Sequence, residues 1–459
     1  MTLDVLPNPP ARVHFIGIGG IGMSGLAAVL HEQGFVVTGS DSGTNAQTEQ
    51  LAARGIVIQR GHDLTELAAI ANLVVITAAV RDNPEIIAAR EAGVPIIKRA
   101  LLLGMLARKK TSIAVAGSHG KSTTSGMLAT ALHALGAEPS YFVGAVVGSS
   151  GSNSAWTDGA HIVVEADEYD RSFWTLHPDA AIITNIEFDH PDLFTPESYD
   201  EAFARFARQI EPGGVLVARG DDPGVARILP GLAVEPFQVI TFGEEPGSDW
   251  RVTKRDDRWF VTPRGGRPIP LELQVPGKHN VMNAVAALAV LTHLGFDMDA
   301  SVVALATFGG VGRRFELVGQ AAGVTVIDDY AHHPTEIAAT LHAARDRFPD
   351  RRLWAVFQPH TFSRTEALLN DFAAALAEAD EIALLDIYAA REIDGGRVSS
   401  ADVQRLIGPR AQLVGGVSDV VPAVYPLLQE GDVVLTIGAG DVTHAAPALV
   451  RALERGSID

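Results

Sequence analysis

Apolar residues in this chain fall in short runs of four or five. Each run is closed by glycine or a polar cluster and followed by a stretch with apolar positions every three or four residues. That alternation is the pattern of a buried parallel strand followed by a covering helix. Val13-His14-Phe15-Ile16 leads into Gly17-Ile18-Gly19-Gly20-Ile21-Gly22, and a helix pattern then runs to a stop at Gly34. A second run over 35–39 ends at Ser40-Asp41, and runs at 73–76 and 94–97 carry the pattern to Lys109-Lys110. The next block predicts strands at 112–115, 161–164 and 181–183, with a helix over 125–135. Between Pro212 and Pro276 shorter runs with Gly-Gly turns predict a β-rich stretch, followed by an alanine-rich helix over 281–294. From about Glu316 strands are predicted at 324–328, 353–357, 382–385 and 433–437, with a helix over 336–348. The expectation is an α/β protein of three consecutive α/β domains: a Rossmann-like 1–109, a P-loop ATPase-like 110–315 and a Rossmann-like 316–459.

The candidate chemistry lies where these strands end. Ala116-Gly117-Ser118-His119-Gly120-Lys121-Ser122-Thr123-Thr124 has the layout of a phosphate loop, shortened because Val115 stands where the usual spacing has glycine. Its backbone N–H groups would close on ATP phosphates, Lys121 would reach the β/γ-phosphates, and Ser122 would offer a hydroxyl to Mg²⁺. Glu165-Ala166-Asp167-Glu168 puts acids after a strand, where Glu165 would complete the coordination of Mg²⁺. Thr184-Asn185-Ile186-Glu187-Phe188-Asp189-His190 repeats that placement, with His190 as a ligand to a second divalent ion or as an orienting group. Asp328-Asp329-Tyr330-Ala331-His332-His333-Pro334 and Gln358-Pro359-His360-Thr361-Phe362-Ser363-Arg364 collect acid, imidazole and guanidinium suited to a carboxylate- or phosphate-bearing substrate. Arg313-Arg314 either reaches phosphates or is a solvated pair at a linker.

Composition narrows this reading. The net charge of −19 over 459 residues argues against a nucleic-acid partner. The absence of cysteine excludes disulfides, thiolate nucleophiles and Cys-based metal sites. No apolar stretch reaches the length of a membrane span, and Met1–Pro10 lacks a secretory pattern, so a cytoplasmic enzyme is expected. Two other readings stand beside an ATP-using enzyme. The Gly17–Gly22 turn with Asp41 suits a nicotinamide-dependent oxidoreductase but leaves the second phosphate loop without a use, and an ATP-gated binding protein would need no catalysis.

In order along the chain, these motifs, together with Lys278-His279-Asn280 and Asn283, resemble those of the Mur ligases. The resemblance covers all three blocks and implies ATP-dependent amide ligation in peptidoglycan precursor synthesis, with Mg²⁺. Three further pieces, at 14–25, 312–316 and 385–390, imply UDP-N-acetylmuramate and L-alanine as substrates; the alternative is addition of a tripeptide to the same nucleotide. The resemblance implies a catalytic set of Lys121, Glu165, His190, Arg314 and His332, with metal held by Ser122, Glu165 and His190. ATP would be bound by Gly117, Ser118, His119, Gly120, Lys121, Ser122 and Thr123, by Asn283 at the adenine, Asp329 at the ribose and Arg314 at phosphate. Gly17, Gly19, Gly20, Gly22, Ser40 and Asp41 would hold the UDP sugar, and Tyr330, His332, His360 and Arg364 the amino acid. Ser118 and Ser122 replace the threonines frequent in the family, and Thr361 replaces a frequent arginine. No match to the carbamylated lysine of some sister ligases is present, which leaves metal bridging to carboxylate, imidazole and water.

Overall fold

The computed structural model describes residues 5–77, 80, 83–191, 193–390 and 392–456, so the first four residues of the Met1–Pro10 stretch lie outside it. Its strands form three sheets. The first contains Arg12–Ile16 (β1), Val36–Asp41 (β2), Val57–Arg60 (β3), Leu73–Ile76 (β4) and Ile96–Lys98 (β5), all parallel, in the order β3-β2-β1-β4-β5. The second contains Thr111–Ala116 (β6), Ser140–Val147 (β7), Ser152–Ala155 (β8), His161–Glu165 (β9), Ala180–Ile183 (β10), Val215–Arg219 (β11), Gln238–Gly243 (β12), Trp250–Arg255 (β13), Arg258–Pro263 (β14) and Ile269–Leu271 (β15). Its order is β15-β14-β13-β12-β11-β10-β6-β9-β7-β8, with antiparallel pairs only at its two ends. The third contains Glu316–Ala321 (β16), Val324–Asp329 (β17), Leu353–Phe357 (β18), Glu381–Leu385 (β19), Ala411–Gly415 (β20) and Val433–Ile437 (β21), in the order β16-β17-β21-β18-β19-β20.

The chain packs as two compact units: Met1–Glu272 with Met282–Phe308, and Leu273–Val281 with Gly309–Asp459. In the first unit one hydrophobic core is continuous across both sheets, from Phe15, Leu26 and Leu30 through Leu103 to Phe142, Phe173 and Phe203. Phe173 stacks on Phe206 at 4.9 Å and meets Phe203 edge-on at 5.3 Å, contacts each adding about 0.5–1.5 kcal/mol beyond burial. In the second unit apolar layers cover both faces of the third sheet, which is why its central strands read as unbroken apolar runs.

The differences from the sequence expectation are local. The helix expected from 125 begins at Lys121, because Gly120 takes the left-handed conformation at its N-cap (φ 85°) and the chain turns directly into Lys121–Ala134. The run at 94–97 pairs only from Ile96, since Pro95 offers no N–H to the ladder. The β7–β8 hairpin and the antiparallel strand β16 were not predicted. β8 and β16 are half-exposed and lack an apolar run, while the buried apolar start of β7, Tyr141-Phe142-Val143, is interrupted by Gly144 and exposed positions.

Candidate active site

In each sheet the polar motifs emerge at the C-terminal ends of strands beside a reversal of strand order, the position where open α/β sheets bind ligands. The phosphate loop follows β6, which lies between β9 and β10. Gly117 has φ 139°, and a Cβ there would lie 1.9 Å from Thr184 Oγ1; one at Gly120 would lie 2.7 Å from Asn283 Oδ1. Both positions therefore require glycine, for backbone conformation and for space. The segment after β10 fastens the loop. Asn185 Oδ1 accepts from His119 N (2.9 Å), Asn185 Nδ2 and Thr184 Oγ1 donate to His119 O (3.0 and 2.6 Å), and Ser118 Oγ donates to Glu187 O (2.7 Å). His119 Nε2 lies 2.9 Å from Glu187 Oε2. Lys121 and Ser122 thus open a helix whose first N–H groups and positive dipole end face the loop.

Lys121 Nζ donates to Gly117 O (2.6 Å) and Ser118 O (3.1 Å), and it meets Glu168 at 2.8 and 3.0 Å. Burial would lower the lysine pKa, but Glu168, Asp167 and Glu165 outweigh it, so the ammonium is held above its ordinary range. Burial, with Asp167 beside it, holds the Glu168 carboxyl above its ordinary range against the pull of Lys121, and the short contacts place the lysine amine directly on that carboxyl. Tyr199 OH, its pKa raised by burial, lies 3.5 Å from Glu168 Oε1 and 3.1 Å from Ser118 Oγ. Tyr199 comes from Pro196–Ala207, a helix started by Thr195 as N-cap and proline at its first position.

The acids at 165–168 part company. Glu165 is the last residue of β9, and its Oε2 accepts from Gly144 N (2.6 Å), whereas Glu168 turns back to Lys121. Glu165 and Asp167 line a cavity of about 290 Å³ whose other wall is Gly20, Ile21, Gly22, Thr77 and Arg99. Arg99 faces Asp167 at 3.8 Å. Above β1, Asp41 Oδ2 accepts from Gly19 N (2.8 Å) and Oδ1 from Gly43 N (3.2 Å), so this carboxylate orders the glycine turn. Ser40 is fully buried and donates to Glu85 (2.6 Å), beside His62 Nδ1 at 2.8 Å. His190 has φ 58°, stands edge-on to Tyr169 at 5.1 Å, and lies 3.9 Å from Glu168 and 3.7 Å from Asp189.

In the second unit the two arginines separate. Arg313 is fixed by Asp328 (3.1 Å) and by the carbonyls of Gly438 (2.7 Å) and Gly440 (3.3 Å), over the ring of Tyr330. Arg314 lies between two left-handed residues, Arg313 (φ 57°) and Phe315 (φ 51°), and approaches Glu336 at 3.5 Å. Asp329 holds that turn: its oxygens accept from Phe315 N and Ala331 N, both at 2.8 Å. Burial raises the Asp329 carboxyl to about 6 against the pull of Arg314, while burial and Arg314 lower His279 to about 4. Tyr330, His332, His360 and Arg364 form a chain of contacts: rings 5.3 Å and then 6.0 Å apart, and Arg364 Nη1 3.3 Å from His360 Nδ1. Glu336 accepts from His332 N (3.0 Å). Tyr199, Arg99 and Glu336 escaped the sequence reading, and Glu168 was legible only as one acid of the run 165–168; each is an ordinary charged or aromatic residue until the fold supplies its partner.

Three family models match the chain in succession: the Mur ligase family catalytic domain over 12–111, the Mur ligase middle domain over 115–291, and the Mur ligase glutamate ligase domain over 313–440. A UDP-N-acetylmuramate–L-alanine ligase from Mycobacterium sp. (strain JLS) is 41% identical over 471 residues, covering 99% of this chain and 97% of the relative. The crystal structure of UDP-N-acetylmuramate-alanine ligase MurC from Thermotoga maritima superposes with a TM-score of 0.82 at 31% identity, over 97% of this chain and 100% of that one. A murein peptide ligase from Psychrobacter arcticus does so with 0.73 at 25% identity, over 97% and 99%. With three α/β domains in the same order and relatives matched over nearly their whole length, the chain belongs to the Mur ligase family.

Proposed function

We propose that this protein joins L-alanine to the lactyl carboxylate of UDP-N-acetylmuramate using ATP, in peptidoglycan precursor synthesis. One observation carries the reading: the run 165–168 has Glu168 on the amine of the phosphate-loop lysine and Glu165 and Asp167 in the wall of the adjoining cavity. A γ-phosphate and a carboxylate acceptor thus have neighbouring places. A lactyl carboxylate oxygen attacks the γ-phosphorus and the bond to ADP breaks, giving an acyl phosphate. The alanine amine then attacks that carbonyl, loses a proton and expels phosphate. Bringing an anion onto an anion requires fixed positive charge, and Lys121 with the helix N-terminus supplies it.

On this reading 1–109 holds the UDP sugar through the Gly17–Gly22 turn, Ser40 and Asp41; 110–315 holds ATP through the phosphate loop and Asn283; and 316–459 holds the amino acid. Arg314 is assigned to a phosphate, Asp329 to the ATP ribose, and Tyr330, His332, His360 and Arg364 to L-alanine. Mg²⁺ suits the hard oxygen donors Ser122 and Glu165, because this ion keeps several waters and needs only one or two carboxylates beside substrate phosphates. His190 is assigned beside a second ion. When bound, the ions neutralise phosphate charge. Among the described residues no helix is long and apolar enough to cross a membrane, and we place the reaction in the cytoplasm.

The test is ADP release with UDP-N-acetylmuramate, screened against L-alanine, glycine, L-serine and the tripeptide. Preference for the tripeptide would replace the alanine reading. Replacing Glu165 with alanine should raise the Mg²⁺ needed for half-maximal rate at least about tenfold, the smallest loss seen when even outer-shell partners of a metal are removed. An unchanged Mg²⁺ titration would leave Glu165 as the anchor of Gly144 alone.

A further inference from the structure

We propose that Glu392 is a positioning residue for the amino-acid site, clamping the turn that presents His360 and Arg364; this rests on the assignment of those two residues to L-alanine. Glu392 accepts from Thr361 Oγ1 (2.5 Å), from Ser363 N (2.9 Å) and from Ser363 Oγ. Thr361 is the N-cap of the short helix Phe362–Ala367, yet its side chain makes no cap hydrogen bond. Glu392, thirty-one residues away in sequence, takes over that duty by satisfying an N–H of the first turn. Burial would raise its pKa, but the donors on Ser363 and Thr361 outweigh this and hold it below the ordinary carboxylate range. The acid is therefore ionised at neutral pH, with its oxygens committed to the turn.

The same segment braces the turn a second time. Tyr388 N donates to Pro359 O (2.9 Å), and the Tyr388 ring stacks on His360 at 5.7 Å and 12°. Glu392 is itself fixed by its N–H on Ala389 O (2.9 Å). Between these braces Arg364 Nη1 donates to His360 O (2.9 Å). Loss of the Glu392 clamp frees the 361–363 end, and the Arg364 guanidinium, still on His360 O, is directed less closely. Because a bidentate carboxylate contact depends on direction, the consequence falls on the amino acid.

The experiment is steady-state kinetics of Glu392→Ala and Glu392→Gln, varying L-alanine, ATP and UDP-N-acetylmuramate in turn, with nucleotide binding as the check of folding. For Glu392→Ala the KM for L-alanine should rise about tenfold or more, the size of one lost charge-assisted hydrogen bond. The other two KM values should stay within about twofold and kcat within about threefold. Glu392→Gln keeps an acceptor for Ser363 N and should give a smaller rise. Combined with Arg364→Ala, the glutamate change should add nothing further, because Glu392 acts through Arg364. If Arg364→Ala raises the alanine KM and neither Glu392 variant does, the clamp is wrong and the amino-acid assignment survives. If Arg364→Ala also leaves that KM unchanged, the assignment itself falls. Equal losses in all three KM values would make Glu392 a general structural residue and overturn the proposal.

Discussion

Lys121→Ala is expected to lower kcat by about 10²–10³-fold, the usual cost of removing one preorganised electrostatic group from a transition state. The amine is already at the loop, held by two of its carbonyls and by Glu168. In turnover it exchanges these contacts for the transferred phosphate, so the loss falls on the chemical step more than on ATP affinity. Removing the lysine also leaves Glu168 buried beside Tyr199 without its cation. A buried carboxylate without its partner is costly, and it will take up a proton instead. The measurement is single-turnover ADP formation at saturating ATP, alongside a thermal melt. Turnover within a few fold of the unaltered protein, with the melt intact, would remove the phosphate loop from catalysis. Lys121→Met, apolar and of similar length, should show the same loss of rate.

Arg364→Ala is expected to raise the KM for L-alanine far more than that for ATP, with roughly 2–5 kcal/mol lost, the range for truncating one member of a buried charged contact. L-Alanine offers a methyl group, an amine and a carboxylate, so most of its recognition must fall on the carboxylate, and a planar guanidinium meets that group with two parallel hydrogen bonds. Arg364 is only 8% exposed and is aligned by the His360 carbonyl. Thr361, which stands where an arginine is frequent in the family, turns its hydroxyl to Glu392. That leaves Arg364 as the cation of its turn. Steady-state kinetics with each substrate varied separately is the check. An unchanged alanine KM with weakened ATP or sugar-nucleotide binding would assign Arg364 to a phosphate.

The alternation of apolar runs and helix patterns determined the α/β class, the central strands of all three sheets and the phosphate loop. These depend on period and on glycine placement, which are local properties of the chain. The loop signal was strong because Gly117 and Gly120 are needed for backbone reasons that no other residue meets. The motifs after β10, β17 and β18 were legible for the same reason, as polar clusters directly following buried strands. Edge elements such as β8 and β16 were not, since a half-exposed strand needs no apolar run and is defined by the neighbour it pairs with. The partners of the named residues were also invisible. Lys121 finds Glu168 across 47 positions, the turn of Thr361 finds Glu392 across 31, and Asp329 binds the amide of Phe315 beside Arg314. Spacing cannot reveal such pairs, because they form only when crossover connections bring separate strand ends to one edge of a sheet. Tertiary structure alone decided which partners each of two adjacent arginines takes, and which of three clustered acids faces the lysine and which the cavity. Those choices rest on burial and hydrogen-bond geometry that no sequence period encodes.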